Sequence, residues 1–159
     1  MGRSTTGKRA LILGAAGALA LAAGNLASPA TARAAADEKG VAFFEAKIRP
    51  ILANHCVSCH GEEKQKGDLR LDTREHLLAG AKHEDKAEKV VELGSPEKSK
   101  VIEAVEYKNE DIQMPPPKRN KATGKTDNLK LPDAQIADLK EWIKMGAPYG
   151  AAPVVAVKK

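Results

Sequence analysis

Two cysteines and a histidine lie within five consecutive residues and give the strongest chemical signal in the sequence. Two residues separate Cys56 from Cys59, and His60 follows directly. On a tight turn, two thiols at this spacing can each add to one vinyl group of a porphyrin, while the adjacent imidazole comes under the iron. The pattern therefore predicts one covalently attached haem c per chain, with both cysteines as thioethers and His60 as an iron ligand.

Two other chemistries use cysteines at this spacing. A zinc site normally has four protein ligands, so the fourth would have to come from His55, His76 or His83, and the second Cys or His pair typical of such sites is missing. A thioredoxin-like redox pair needs a strand before it and a helix after it, whereas helical patterns flank this motif on both sides. Haem attachment is therefore favoured over both.

The second axial position of the iron has two methionine candidates beyond the first 36 residues. Three prolines follow Met114, and they remove three backbone donors and stiffen the loop that would hold its sulfur. Met145 lies at the end of the last predicted helix, where we expect a packing role. The other histidines are expected to be solvated. Met114 is the favoured distal ligand, and a histidine or an open iron site remains as an alternative.

Residues 1–36 have the three parts of a secretory signal peptide. Three basic residues fall within the first nine, an apolar stretch covers 10–23, and Ala-x-Ala sites end at Ala34 and Ala36. The apolar stretch is shorter than the roughly 20 residues that a membrane-spanning helix needs. We expect cleavage near Ala34 or Ala36, a periplasmic or otherwise exported product, and no stable membrane span after removal of the leader.

Charge and length limit the function of the remaining chain. The 159 residues contain 26 basic and 21 acidic side chains, and four of the basic ones and none of the acidic ones precede residue 37. A nearly neutral mature chain lacks the general basic field of a nucleic-acid binder. Residues 37–150 are long enough for one domain, and this excludes a multidomain enzyme.

Apolar spacing and capping patterns predict the elements that must position these side chains. Helical spacing covers 37–54, with an interruption at Pro50, and delivers the chain to the cysteine motif. Capping and stop residues then bound further helices over 72–80, 95–107 and 132–146. No segment alternates convincingly as a strand, so we predict an all-α domain. The segments 118–130 and 151–159 are expected to be a loop and a disordered tail.

The sequence resembles class I c-type cytochromes, and more closely the planctomycete-type cytochrome c domain. The landmarks lie in that family's order over about 41–146, at residues 48–52, 56–61, 64–72, 94–99 and 114–116. The resemblance implies a small helical cytochrome c-like domain wrapped around one covalently attached haem. It also implies thioethers at Cys56 and Cys59, a proximal ligand at His60, a distal ligand at Met114, and first and last helices that cross beside the haem.

One segment departs from the family pattern. Such domains usually pass from the Met-Pro-Pro turn to the last helix within a few residues, whereas here 118–130 intervenes with five basic residues and one acidic residue. We expect a solvated connector there, and the alternatives are a loop that masks the haem edge or a docking patch for an acidic partner.

These features predict an exported monohaem cytochrome that carries one electron at a time through His/Met-ligated iron and is not an enzyme. Its expected partners are an electron donor and an electron acceptor protein, with no nucleic acid, and the chain is expected to be a monomer. The alternative is a haem-based sensor, ligand-binding module or peroxidase-like module with an open sixth iron position.

Overall fold

The computed structural model describes residues 1, 2, 37–83 and 86–157 of the chain. The predicted signal peptide lies almost entirely outside the described residues. Across these residues, no helix has both the length and the apolar character needed to cross a membrane.

The first helical region leads the chain directly to the cysteine motif. Helix α1 covers 37–43, a π-helical turn covers Phe44–Ile48, and helix α2 covers Arg49–His55. Pro50 lies in the first turn of α2. The predicted helix is confirmed, and its change from π to α geometry falls between Ile48 and Arg49, where the backbone stays helical.

Three later helices lie close to their predicted positions. They are α3 (Arg74–Ala79), α4 (Lys100–Val105) and α5 (Asp133–Lys144). Thr73 caps α3 by accepting from the His76 N–H, and Gly80 ends it at φ 74°. The helix predicted over 95–107 is broken instead, because Ser99 separates the 3-10 turn Pro96–Lys98 from α4 and its hydroxyl bonds to Ser95 and Glu92.

Two antiparallel hairpins show that the predicted all-α fold is wrong. Strand β1 (Ala81–His83) pairs with β2 (Lys86–Glu88), and β3 (Lys118–Arg119) pairs with β4 (Thr126–Asp127). Strands of two or three residues are too short to show an alternating pattern. Local contacts produce them: a Cβ on Gly80 would lie 2.1 Å from the Glu88 carbonyl oxygen, so only glycine lets β2 approach there.

An aromatic cluster holds the first and last helices together. The ring of Phe44 lies 4.0 Å from that of Tyr149 and 6.1 Å from that of Trp142 between centroids. The apolar face predicted for α5 is buried, and it consists of Ile136, Leu139, Trp142 and Ile143. The described core therefore lies where α5 packs on the π-helical turn before α2.

The segment after Gly150 was predicted to be disordered, but the structure instead packs residues 151–157 against the first helices. Val154 is 3% exposed, and its N–H donates to the Asp72 carbonyl at 2.7 Å. The Arg49 guanidinium donates to the carbonyls of Ala152 and Pro153. An extended segment that is held by backbone bonds carries no periodic signal in its sequence. The last two residues lie outside the described part.

Candidate haem site

The end of α2 brings the two cysteines and the histidine into one turn. The Cys56 N–H continues the helix by donating to the Leu52 carbonyl at 3.0 Å. The N–H groups of Cys59 and His60 then both donate to the Cys56 carbonyl, each at 3.0 Å. Both cysteines are free and form no disulfide. The structure thus places Cys56, Cys59 and His60 in one hydrogen-bonded turn.

The backbone around His60 is fixed from the following loop as well. The Leu71 N–H donates to the His60 carbonyl at 2.8 Å, and the Lys66 N–H donates to the Cys59 carbonyl at 3.0 Å. A Cβ on Gly61 would lie 2.4 Å from the Val57 carbonyl oxygen, so the chain can turn back here only at glycine. The imidazole therefore stands on a rigid backbone.

The His60 ring has a nitrogen that the described residues leave unsatisfied. Its Nδ1 is buried and has no hydrogen-bond partner in the described part of the chain. Burial lowers the pKa of His60, and the carbonyls of Lys66 and Leu69 oppose that shift. The imidazole is thus neutral near pH 7, which is the form that binds metals. A buried nitrogen without a partner needs a bound group or a water molecule to satisfy it.

The two competing interpretations of the cysteine pair find no support. Burial, reinforced by the neighbouring Cys59, raises the pKa of the Cys56 thiol to about 12, whereas redox-active pairs need a lowered thiol pKa. Across 37–83 and 86–157, no cluster of three or more His, Cys, Asp or Glu side chains can hold a metal ion.

Met114 lies in a separate segment that α4 and the residues after it hold in place. Its N–H donates to the Ala104 carbonyl at 3.1 Å, and the Tyr107 hydroxyl donates to the carbonyl of the next residue, Pro115. Met114 is 38% exposed. Ligation of iron by its sulfur stays a prediction.

The other candidate ligands are also placed by the structure. Met145 ends α5 and is 41% exposed, so the expected packing role does not hold. His76 is not simply solvated, because its Nδ1 lies 3.0 Å from an Asp72 carboxylate oxygen and 2.9 Å from the Thr73 hydroxyl. These contacts hold the His76 ring at the start of α3.

The sequence analysis missed both tyrosines of the chain. Tyr107 donates to the Pro115 carbonyl beside Met114, and Tyr149 donates to the carbonyl of Leu71, whose N–H bonds to His60. Each tyrosine therefore supports a segment that carries a predicted iron ligand. The sequence held one signal for these roles, since it contains only two tyrosines. A tyrosine whose ring is partly buried needs a hydrogen-bond partner for its hydroxyl.

Comparison with known protein families places the cysteine motif and Met114 in one domain. Residues 56–118 match the family described as Planctomycete cytochrome C, which confirms the resemblance inferred from the sequence landmarks. No curated protein and no solved structure matches the chain. Cytochrome c domains carry covalently bound haem c with iron and are typically exported. The free thiols in one turn and the orphaned imidazole nitrogen fit that group.

Proposed function

We propose that this chain, which has a planctomycete cytochrome c domain at residues 56–118, is an exported monohaem cytochrome that carries single electrons between redox partner proteins. The observation that carries the proposal is the turn that joins Cys56 and Cys59 to His60, whose buried Nδ1 lacks a partner among the described residues. The family match independently supports haem c at this turn.

The cysteines are proposed to tether the haem. Each thiol adds across one vinyl group, so that a carbon–sulfur bond forms and the thiol proton moves to the other vinyl carbon. The step is an addition and therefore needs no oxidant or reductant. The hydrogen bonds from the Cys59 and His60 N–H groups to the Cys56 carbonyl close the turn that carries both thiols and the imidazole.

His60 and Met114 are proposed as the axial ligands. Once bound, haem iron supplies a couple between ferric and ferrous states that takes up one electron. A neutral thioether favours the ferrous state, so His/Met ligation raises the reduction potential relative to two histidines. The hydrogen bonds from Met114 to Ala104 and from Tyr107 to Pro115 hold the segment that carries Met114. With both axial positions filled by the protein, we propose no enzymatic turnover at the metal.

The alternative is a sensor or peroxidase-like module, in which the sixth iron position is open. An iron site that loses the Met114 sulfur gains an open position at which small molecules bind.

The proposal is tested first by mass spectrometry of the chain purified from a host that exports it and attaches haem c. We expect the mass of the cleaved chain plus one haem, and loss of the added mass in the double variant Cys56→Ala, Cys59→Ala. An uncleaved N-terminus would overturn the proposed cleavage near Ala34 or Ala36. A wild-type chain without haem would overturn the whole proposal.

Axial ligation is tested with a matched pair of methionine variants. Met114→Ala should abolish the weak far-red absorption band of methionine-ligated ferric haem and allow the ferrous form to bind carbon monoxide. Met145→Ala is the control, since its side chain is similarly exposed at 41%. Survival of the band in Met114→Ala would reassign the ligand, and ready carbon monoxide binding by the wild type would favour the alternative function.

A further inference from the structure

Positive charge is concentrated in one segment of residues 37–159, which are otherwise slightly acidic. Residues 118–130, here called the basic hairpin, contain five basic side chains and one acidic side chain. Residues 37–159 contain 22 basic and 21 acidic side chains. Of these, 17 basic and 20 acidic side chains lie outside the basic hairpin. The local field at the basic hairpin is therefore opposite in sign to that of the remaining domain.

The basic hairpin is an ordered element that displays these charges. Lys118 pairs with Asp127 and Arg119 with Thr126 across β3 and β4. The connecting turn closes with the Asn120 N–H on the Lys125 carbonyl at 2.8 Å. Every residue from 118 to 130 is exposed. The charges are thus presented to solvent on a defined backbone and not folded onto the domain.

Most of this charge is uncompensated. Lys130 lies 3.5 Å from an Asp133 carboxylate oxygen. The other four basic side chains of the hairpin form no ion pair with any residue of the described ranges. These four are Lys118, Arg119, Lys121 and Lys125. Unpaired exposed cations on one element attract an oppositely charged surface over a distance of about 10 Å at moderate salt.

The location relates this charge to the candidate haem site. Lys118 follows Met114 by four residues, and Pro115 to Pro117 lie between them and restrict the backbone. We propose that the basic hairpin is the docking surface for an acidic face of the protein that exchanges electrons with this chain. This inference rests on the proposed function, because it places the partner beside the proposed distal ligand.

The composition of the basic hairpin favours a protein partner over an anionic membrane. Leu129 is the only large apolar side chain in 118–130. Stable attachment of a basic segment to a bilayer draws on several apolar side chains that insert beneath the headgroups. Short-lived docking for electron transfer instead uses small interfaces and charge guidance, and an exposed cationic hairpin supplies both.

The test uses the haem-loaded chain and a plant-type [2Fe–2S] ferredoxin, an acidic one-electron carrier, as the probe. The hairpin variant is Arg119→Glu, Lys121→Glu, Lys125→Glu, which leaves Lys118 opposite Asp127 so that the strand pair keeps its favourable charges. At low salt we expect the Kd for oxidised ferredoxin to rise about tenfold or more. We expect the rate of electron transfer from reduced ferredoxin to fall by a similar factor, and both differences to vanish at high salt.

The control changes the same charge on the other hairpin, through Lys82→Glu, Lys86→Glu and Lys89→Glu, which are all exposed positions. An unchanged Kd in the hairpin variant, an equal loss in the control, or no measurable binding by the wild type would overturn the proposal. Loss of binding to phosphatidylglycerol vesicles with an unchanged ferredoxin Kd would also overturn it and assign the surface to a membrane. Hairpin-dependent binding without electron transfer would support the docking surface and refute the proposed carrier function.

Discussion

The hydroxyl of Tyr149 donates a 2.8 Å hydrogen bond to the carbonyl of Leu71. The N–H of Leu71 in turn donates to the carbonyl of His60 at 2.8 Å. Burial raises the pKa of Tyr149, with nearby charges as smaller contributions, so the hydroxyl keeps its proton well above neutral pH. The segment after α5 is therefore linked, through one residue, to the proposed proximal ligand.

Replacing Tyr149 by phenylalanine should destabilise the haem-loaded domain. The ring and its packing on Phe44 are kept, but the Leu71 carbonyl loses its partner in a buried position. We expect the free energy of unfolding to fall by about 1–2 kcal/mol. Guanidinium denaturation followed by circular dichroism measures this change, and a midpoint equal to that of the wild type would show that the bond adds nothing.

Replacing Tyr107 by phenylalanine should act on the proposed distal ligand. The variant removes the donor to Pro115, so the segment that follows Met114 loses one of its attachments to the region after α4. We expect a weaker far-red band in the ferric form and faster carbon monoxide binding by the ferrous form. Val155→Ala, at a residue that is 81% exposed, is the control and should leave both readouts unchanged. An equal far-red band and an equal rate of carbon monoxide binding in the two variants would show that Tyr107 has no part in ligation.

Much of the helical framework could be predicted from the sequence, for reasons visible at particular residues. The spacing of Ile136, Leu139 and Ile143 gives one apolar face, and α5 buries all three. Gly80 was predicted to stop α3, and it does so with a positive φ. Such signals are local, because periodicity and capping depend only on residues a few positions apart.

The hairpins and the packed tail could not be predicted in the same way. Lys118 and Arg119 form a strand only because the turn at Asn120 brings Thr126 and Asp127 opposite them. The cysteine motif was recognisable because its chemistry is encoded within five residues. By contrast, the roles of Tyr107 and Tyr149 depend on contacts with Pro115 and Leu71, and no spacing rule connects Tyr149 with a residue 78 positions away.

Two adjacent valines test whether the tail belongs to the folded domain. Val154 is 3% exposed, whereas Val155 is 81% exposed. Because Val154→Ala removes two buried carbon groups, it should lower the free energy of unfolding by about 1–2 kcal/mol. Val155→Ala should change it by less than about 0.5 kcal/mol. Chemical denaturation of both variants makes the comparison, and equal midpoints would contradict the packed position of Val154.

A buried carboxylate should make stability depend on acidic pH. Asp72 is 4% exposed, and burial alone would raise the pKa of its carboxyl. Hydrogen bonds from Arg70, at 2.5 and 3.1 Å, and from His76 outweigh burial and hold that pKa below its usual value. The carboxylate therefore binds protons less readily in the folded state than in the unfolded state.

The pKa of the Asp72 carboxyl is about 4 in the unfolded chain and lower in the folded one. Asp72 therefore stabilises the fold above about pH 4, and this contribution is lost as the pH falls through the folded-state pKa. We expect Asp72→Asn to lower the free energy of unfolding at pH 7 by about 2 kcal/mol and to flatten its decline below about pH 5. Urea denaturation at several pH values from about 3 to about 7 measures both effects. The exposed Asp127→Asn is the control and should follow the wild-type profile. The free energy of unfolding of Asp72→Asn could instead decline as steeply with acid as that of the wild type. The charge of Asp72 would then have no part in holding the start of α3, and the contacts of Arg70 and His76 would serve only local packing.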